Sequence, residues 1–268
     1  MIEQTRARPL LGTFVVISAA GPRRAVEAGL RRAFDAVERL ERRMSYFEPA
    51  SDVARLNRAA HRIPVRVHPQ THRLLRAAAR LTRASGGVFD IATGGALWRA
   101  GFRPPAPGAP RPDPRASGRD VRLLSGGRVR FRRPLWIDLG GIAKGQAVDR
   151  ALAVLRDAGV RRARVNAGGD TASFGETAPL WRRDDRRRGA VRPFGATASG
   201  AVATSAPLLH ARARRAPYVR RGRCVPGGRG VTVAAPRALW ADALTKVALL
   251  APSRARRVLA IFNARVIP

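Results

Sequence analysis

Cysteine is nearly absent: in 268 residues only Cys224 carries a thiol, which excludes an internal disulfide and a cysteine metal cluster. Its spacing to the histidines points to no nucleophile, and we read it as a bystander thiol. Acid is scarce too, with 18 Asp plus Glu against 52 Lys plus Arg and a formal net charge of +34. Lysine is scarcer still, because every one of those bases except Lys144 and Lys246 is arginine. No apolar run approaches the ~18 residues that a membrane helix needs, so no membrane span is expected. The start, "MIEQTRARPLLGTFVVISAAGPRR", lacks the basic, apolar and small-residue order of a secretion signal. The chain as given is therefore expected in the cytoplasm, or in the periplasm if a leader has been removed.

What is present is enough for a folded core. An apolar fraction of 45% is ordinary for a globular chain; the length suits one large domain or two modest ones, and we read 1–268 as a single domain. The positive charge invites a nucleic-acid reading, since clustered cations bind polyanions through counterion release. The arginines are scattered, however, and runs such as "GPRR", "GVRRAR" and "FRRP" are not interleaved with base-stacking aromatics. A bias toward arginine codons accounts for the scatter. No specific nucleic-acid partner is expected, only salt-sensitive adhesion to polyanions.

Periodicity points to an α+β fold of mixed or antiparallel sheets packed with helices. "LLGTFVVISA" (10–19) is rich in β-branched and aromatic residues and is expected to be one strand. Val26, Leu30, Phe34, Val37, Leu40 and Met44 recur at helical spacing after Pro22. A short helix capped by Ser51 or Asp52 and a longer one over 68–85, stopped by Gly86-Gly87, follow. The proline-rich 101–120 reads as an exposed surface loop, followed by strands "VRLL" and "VRF" around "SGG". Helices over 145–158 and 238–252 and strands over 162–170 and 230–236 complete the expectation.

The stretch "WIDLGGIAKGQAVD" (136–149) bears the chemistry. A strand is expected to deliver Asp138 to its end, two glycines to let backbone approach a ligand, and Lys144 to sit at a helix entrance. Amide N–H groups and the dipole there favour an anion, so the pattern describes a phosphate cradle. A compact ammonium suits a single phosphate oxygen better than a flat guanidinium. The bland alternative is a chain reversal with a solvated lysine.

This stretch stands in an ordered series: "LLGTFVVIS", "MSYFEPASDVARLN", "GGVFDIATGGALWRAGF", "IDLGGIAKGQAVDRALAVL", "RVNAGGDTASFG", "AVATSA" and "ADALTK". From about residue 9 to 250 the chain resembles the ApbE-type FAD:protein FMN transferases. The resemblance implies that family's T-fold-related architecture. It also implies cleavage of FAD, attachment of FMN through a phosphoester to a Thr or Ser hydroxyl of a partner protein, release of AMP and use of Mg²⁺. Matched motif to motif, it places flavin contacts at Leu11, Phe47, Val88, Phe89, Asp90, Asp138 and Lys144. Metal ligands would be the Gly141 carbonyl and the side chains of Asp242 and Thr245, with Lys144 and Asp170 in the chemistry.

Each position has a structural alternative. Phe47 and Phe89 are candidates for core aromatics, Asp90 for a turn cap, Asp170 for a strand-ending turn, and Thr204 and Ser205 for local backbone bonding. His210 reads as a surface residue.

The series also departs from the resemblance. Leu11 stands where the family has methionine, and Lys246 where many relatives have a metal-binding threonine. Lys246 shares a helix face with Asp242 at i, i+4, so its ammonium is expected to replace part of a cation's charge. Near "APYVRRGR" (216–223), Pro217 stands at the family's histidine and Arg220-Arg221 at its Asp-Pro pair. Neither proline nor arginine accepts a proton. Two outcomes stay open: flavin binding with weak or no transfer, or transfer with another base such as Asp170.

Overall fold

Residues 2–21 form a hairpin rather than the single strand expected over 10–19. In the computed structural model β1 (Ile2–Leu10) and β2 (Thr13–Gly21) pair antiparallel across a two-residue turn. Leu11 and Gly12 both take positive φ, 59° and 68°, as this tight turn requires. The Leu11 N–H donates to Glu41 Oε1 at 2.8 Å, which ties the turn to the helix that follows. β1 escapes a sequence reading because it is a polar edge strand, and its charges discourage pairing with another chain. The structure describes residues 1–175, 178–183, 191–197, 200–206, 216–226 and 230–267, with backbone alone for 178–183 and 191–197.

The chain continues through α1 (Arg23–Met44), α2 (Asp52–Ala59), β3 (Val65–Arg66), α3 (Pro69–Ala84) and α4 (Gly94–Arg99). Next come β4 (Val121–Leu124), β5 (Arg128–Phe131), α5 (Ala143–Asp157), β6 (Arg162–Ala167) and β7 (Asp170–Phe174). The remainder is β8 (Ala178–Arg183), β9 (Val191–Thr197), β10 (Gly200–Ser205), β11 (Val219–Arg220), β12 (Arg223–Cys224), β13 (Val231–Ala235), α6 (Ala238–Leu250), α7 (Pro252–Ala260) and β14 (Arg265–Ile267). Most expected boundaries hold within a turn, but α4 was not anticipated from "GGALWR". No described helix is long and apolar enough to cross a membrane.

The main sheet has the order β1-β2-β6-β7-β10-β13-β14, with every described pairing antiparallel. Alternation decides its inner face. Val15, Ile17 and Ala19 of β2 lie opposite Ala167, Val165 and Ala163 of β6, and all are buried. Against that face packs a helical layer in which α5 lies between α1 and α6. The other face carries exposed Phe14 and half-buried Val16 and Ser18, the division usual for a half-covered antiparallel sheet. The α1 periodicity behaves as read: Val26, Leu30, Phe34, Val37, Leu40 and Met44 are all buried. Ser51 is the α2 cap, accepting the Ala54 N–H at 3.0 Å.

A smaller sheet, β3-β5-β4, sits with α2 and α3, and its buried side chains belong to the same hydrophobic cluster as those of the main sheet. The segment 134–139 between β5 and α5 has no regular secondary structure and joins no sheet, which corrects the strand expected to end at Asp138. Side chain and loop replace the ladder. Asn57 spans the Ile137 peptide groups, its Oδ1 accepting the N–H at 2.8 Å and its Nδ2 donating to the carbonyl at 3.2 Å. Asp138 N–H donates to Ile91 O at 2.8 Å and Gly94 N–H to Trp136 O at 3.0 Å. The 101–120 loop is held down in places: the Trp136 indole N–H donates to Pro110 O, and the Tyr46 hydroxyl to Pro104 O.

The Asn57 side chain is 2% exposed, so nothing replaces its two bonds. Asn57→Ala is predicted to lower stability by about 1–3 kcal/mol, the penalty for orphaning buried backbone groups. Denaturant unfolding checks this, and an unchanged midpoint would contradict it.

Candidate functional site

The site begins where α5 and α6 cap one another. Asp149 of α5 accepts the Ala238 and Leu239 N–H groups at the start of α6, at 2.8 and 3.2 Å, and Arg237 Nε at 3.1 Å. In return Asp242 of α6 accepts the Gly145 N–H in the first turn of α5 at 3.0 Å. Gly145 lies where the helices cross, and a Cβ there would run into the Ala238 carbonyl. The positive end of α5 therefore meets a carboxylate of the protein itself. The Ile142 and Ala143 N–H groups are also taken, by Leu139 O. A phosphate would meet side chains here more than amides, a correction to the cradle expected from the motif.

Two carboxylates and two ammonium groups follow from this arrangement. Gly168 and Gly169, with φ of 62° and 100°, close the β6–β7 hairpin and start β7 at Asp170. Strand alternation then puts Asp170 on the helix-facing side together with buried Ala172. The Asp170 Oδ2 accepts Lys144 Nζ at 2.7 Å. Lys246 Nζ donates to Asp242 Oδ1 at 2.5 Å and to the Asp242 carbonyl at 3.0 Å. Both acids are buried, Asp170 at 1% and Asp242 at 0% exposure, while both lysines reach the cavity.

The charges sort themselves accordingly. Burial pushes the Asp170 pKa up, and the neighbouring Asp242 carboxylate adds to this, giving about 6 despite Lys144 and Lys246. Burial acts in the same direction on Asp242, but Lys246 and Lys144 overcome it and hold that carboxyl below its ordinary value. For Lys144, burial works to lower the pKa, and Asp242 with Asp170 outweighs it and raises it. Of the two acids, Asp170 is the one poised to gain a proton.

The lysines open on a cavity of about 550 Å³, within the range of small-molecule sites. Val88, Phe89, Asp90, Asp138 and Gly141 line it with Lys144, as do Thr204 and Ser205. Asp138 is gripped on both oxygens, Oδ1 by the Gly140 N–H and Oδ2 by Arg103 Nε, each at 2.7 Å. Asp90 does cap its turn, with Oδ1 accepting the Ala92 and Gly118 N–H groups while it also faces the cavity; burial raises its pKa. Phe89 is both core and wall, at 3% exposure. Phe47 is no core aromatic: it is 59% exposed, with the Arg103 guanidinium 5.3 Å from its ring centroid. Leu11 sits in the β1–β2 turn, and its neighbour Gly12 reaches the cavity wall. Thr245 is fully buried and lies behind the wall residue Ser205: its hydroxyl donates to Asp242 O at 2.6 Å and pairs with Ser205 Oγ at 2.7 Å.

Other residues were missed. Arg103, Thr93, Leu97, Phe102 and Tyr218 line the cavity, and Arg103 holds Asp138, one arginine among many with no local pattern to mark it. Pro217 is in the wall, so the position where the resemblance calls for a histidine faces the cavity without a titratable group. Arg220 and Arg221 belong to the β11–β12 hairpin instead and line neighbouring hollows. His210 lies outside the described residues.

A divalent cation does not fit beside Asp242 as these residues stand. The Lys246 ammonium already occupies the carboxylate and the carbonyl, and Thr245 spends its hydrogen bonds inside the core. No cluster of three or more His, Cys, Asp or Glu suited to a metal occurs among the described residues.

Comparison with known proteins gives a consistent result. The family model described as ApbE family matches residues 11–266. An FAD:protein FMN transferase of Klebsiella pneumoniae (strain 342) is 30% identical over 170 residues, 56% of this chain and 50% of that protein. One of Treponema pallidum (strain Nichols) is 30% identical over 190 residues, 65% of this chain and 52% of that protein. The matches thus span about half the length of these relatives. Among solved structures, the ApbE protein of Thermotoga maritima superposes with a TM-score of 0.82 at 24% identity, covering 99% of this chain and 93% of that one. The Pseudomonas stutzeri flavinyl transferase ApbE gives 0.84 at 19% identity, covering 99% and 90%. Both share the fold.

The two capping acids are predicted to differ in weight. Asp149→Ala removes a helix cap and lowers stability by about 1–2 kcal/mol. Asp242→Ala strands buried charge and lowers it by about 3–5 kcal/mol. Urea unfolding of both variants tests the order, and a smaller loss at Asp242 would contradict the arrangement described here.

Proposed function

This chain belongs to the ApbE family, and from that premise we propose that it is an FAD:protein FMN transferase acting on a Thr or Ser hydroxyl of a partner protein. The observation that carries this reading is the convergence of Lys144 and Lys246 on one cavity walled by Asp138, Asp90 and Phe89. Phosphoryl transfer asks mainly for positioning and for neutralisation of charge, and two ammonium groups on buried anchors supply both. The exposed Phe47 ring beside Arg103 offers a flat apolar surface to the flavin.

The acceptor oxygen attacks the phosphorus of the FMN half and forms the new P–O bond. The bond from that phosphorus to the bridging oxygen breaks, and AMP leaves with the bridging oxygen and its electron pair. Lys144 first gives a proton to the ionised Asp170 carboxylate, 2.7 Å away, and the neutral amine so formed then takes the hydroxyl proton. Lys144 ends as the ammonium it began as, and Asp170 ends protonated. Mg²⁺, which the resemblance implies, enters no step, because Lys246 stands where it would bind Asp242.

A second reading, a flavin-binding relative with weak or no transfer, is favoured by Pro217 in the wall where a histidine would handle protons. Calorimetry with FAD, followed by incubation with a Ser- or Thr-bearing acceptor protein and mass spectrometry, separates the two. The transferase reading predicts FAD binding and an FMN-sized mass gain on the acceptor. Binding without a mass gain supports the second reading, and no binding contradicts both.

The base assignment has its own pH signature. Asp170 must be ionised to accept the proton, so the transfer rate rises with pH through about 6 and then levels. Asp170→Asn is predicted to lower the rate by about 10²–10⁴-fold and to erase that limb. A limb that persists in the variant rules out Asp170.

A further inference from the structure

We propose that the Lys246 ammonium is a built-in substitute for a divalent cation, so that this site binds a diphosphate-bearing flavin nucleotide without metal. The substitution is geometric before it is electrostatic. Lys246 Nζ holds two oxygens of one residue, the Asp242 carboxylate and carbonyl, in the manner of a chelated ion. Its stem crosses Gly141, where an added Cβ would stand 3.4 Å from Lys246 Cε, so even the small residue opposite is covered by the lysine. Lys246 lines the cavity while Asp242 lies wholly behind it. The charge offered to a ligand is thus the lysine's.

The oxygens of Asp242, Thr245 and Asp170 are already hydrogen-bonded. Thr245 has one hydroxyl proton and gives it to the Asp242 carbonyl, so Ser205 must be the donor in the 2.7 Å bond between their hydroxyls. The Asp242 carbonyl then accepts from both Thr245 and Lys246, and its carboxylate from both Gly145 and Lys246. The other acid of the cluster, Asp170, is occupied by Lys144. A hard divalent ion needs about six oxygen ligands, and here it would also face two ammonium groups. An ammonium needs no such shell, and its third N–H, which has no partner among the described residues, can meet a phosphate oxygen.

The flavin-nucleotide part rests on the function proposed above, whereas the metal part does not, and the test keeps them apart. Free Mn²⁺, followed by electron paramagnetic resonance, is titrated with the intact chain and with Lys246→Thr and Lys246→Gln, each checked for folding by circular dichroism. The parent is expected to leave Mn²⁺ free. Lys246→Thr, with an oxygen in place of the ammonium, is expected to bind Mn²⁺ at least about tenfold more tightly than the parent. In parallel, FAD fluorescence quenching is measured in EDTA and in excess Mg²⁺. The parent's affinity is expected to be the same in both, while Lys246→Gln loses about tenfold in EDTA. Tight Mn²⁺ binding by the parent overturns the proposal whether or not the variants fold. So does FAD binding by the parent that requires Mg²⁺. If FAD fails to bind under every condition, the function reading falls, and the Mn²⁺ titration still decides the role of Lys246.

Discussion

The Asp242 carboxylate is the constraint on which the site depends. One oxygen satisfies the Gly145 N–H at the start of α5, and the other anchors the Lys246 ammonium. Asp149 returns the capping from α5 to α6. Because each helix supplies the acid that completes the other, neither can slide or rotate without exposing buried amides or charge. The distance between Lys144 and Lys246 is thereby fixed by backbone packing rather than by the lysines themselves. Gly145 permits the crossing, since any side chain there would meet the Ala238 carbonyl. Preorganisation of this kind is what electrostatic stabilisation of a phosphoryl group requires.

Three of the four described acids at the site are paired one to one with a cation, despite a chain total of +34. Asp138 has Arg103, Asp170 has Lys144, and Asp242 has Lys246. The excess of arginine is spread instead over helices and strands such as α1, α3, α7 and β1. A diffuse positive field attracts anions at long range and weakens with salt. The selectivity proposed for a nucleotide then rests on the cavity, where two compact ammonium groups stand with a single guanidinium among the described residues, that of Arg103.

Much of this was legible in the sequence, and the failures have physical causes. The α1 stripe was read correctly because a one-sided buried helix writes its period into the chain. Lys144 stood out because it is a lysine in an arginine-rich protein, and the ordered motifs placed it with Asp138, Asp90 and Asp242. β1 was invisible because an exposed edge strand needs no apolar alternation. The strand expected at Ile137 failed because Asn57, 80 positions away, supplies the hydrogen bonds that a neighbouring strand would have given. Arg103 carried no local signal, since its value lies in one ion pair formed across the fold. Thr245 was one residue from the right place. Helical geometry turns it into the core and presents Lys246 to the cavity in its stead.

The central claim is that two lysines, set by the mutual capping of α5 and α6, grip the diphosphate of a flavin nucleotide. A crystal structure of the chain soaked with FAD tests it most directly. The account predicts diphosphate oxygens within hydrogen-bond reach of both Lys144 Nζ and Lys246 Nζ, with each lysine still joined to its buried acid. An ordered FAD whose diphosphate lies away from both lysines would contradict it.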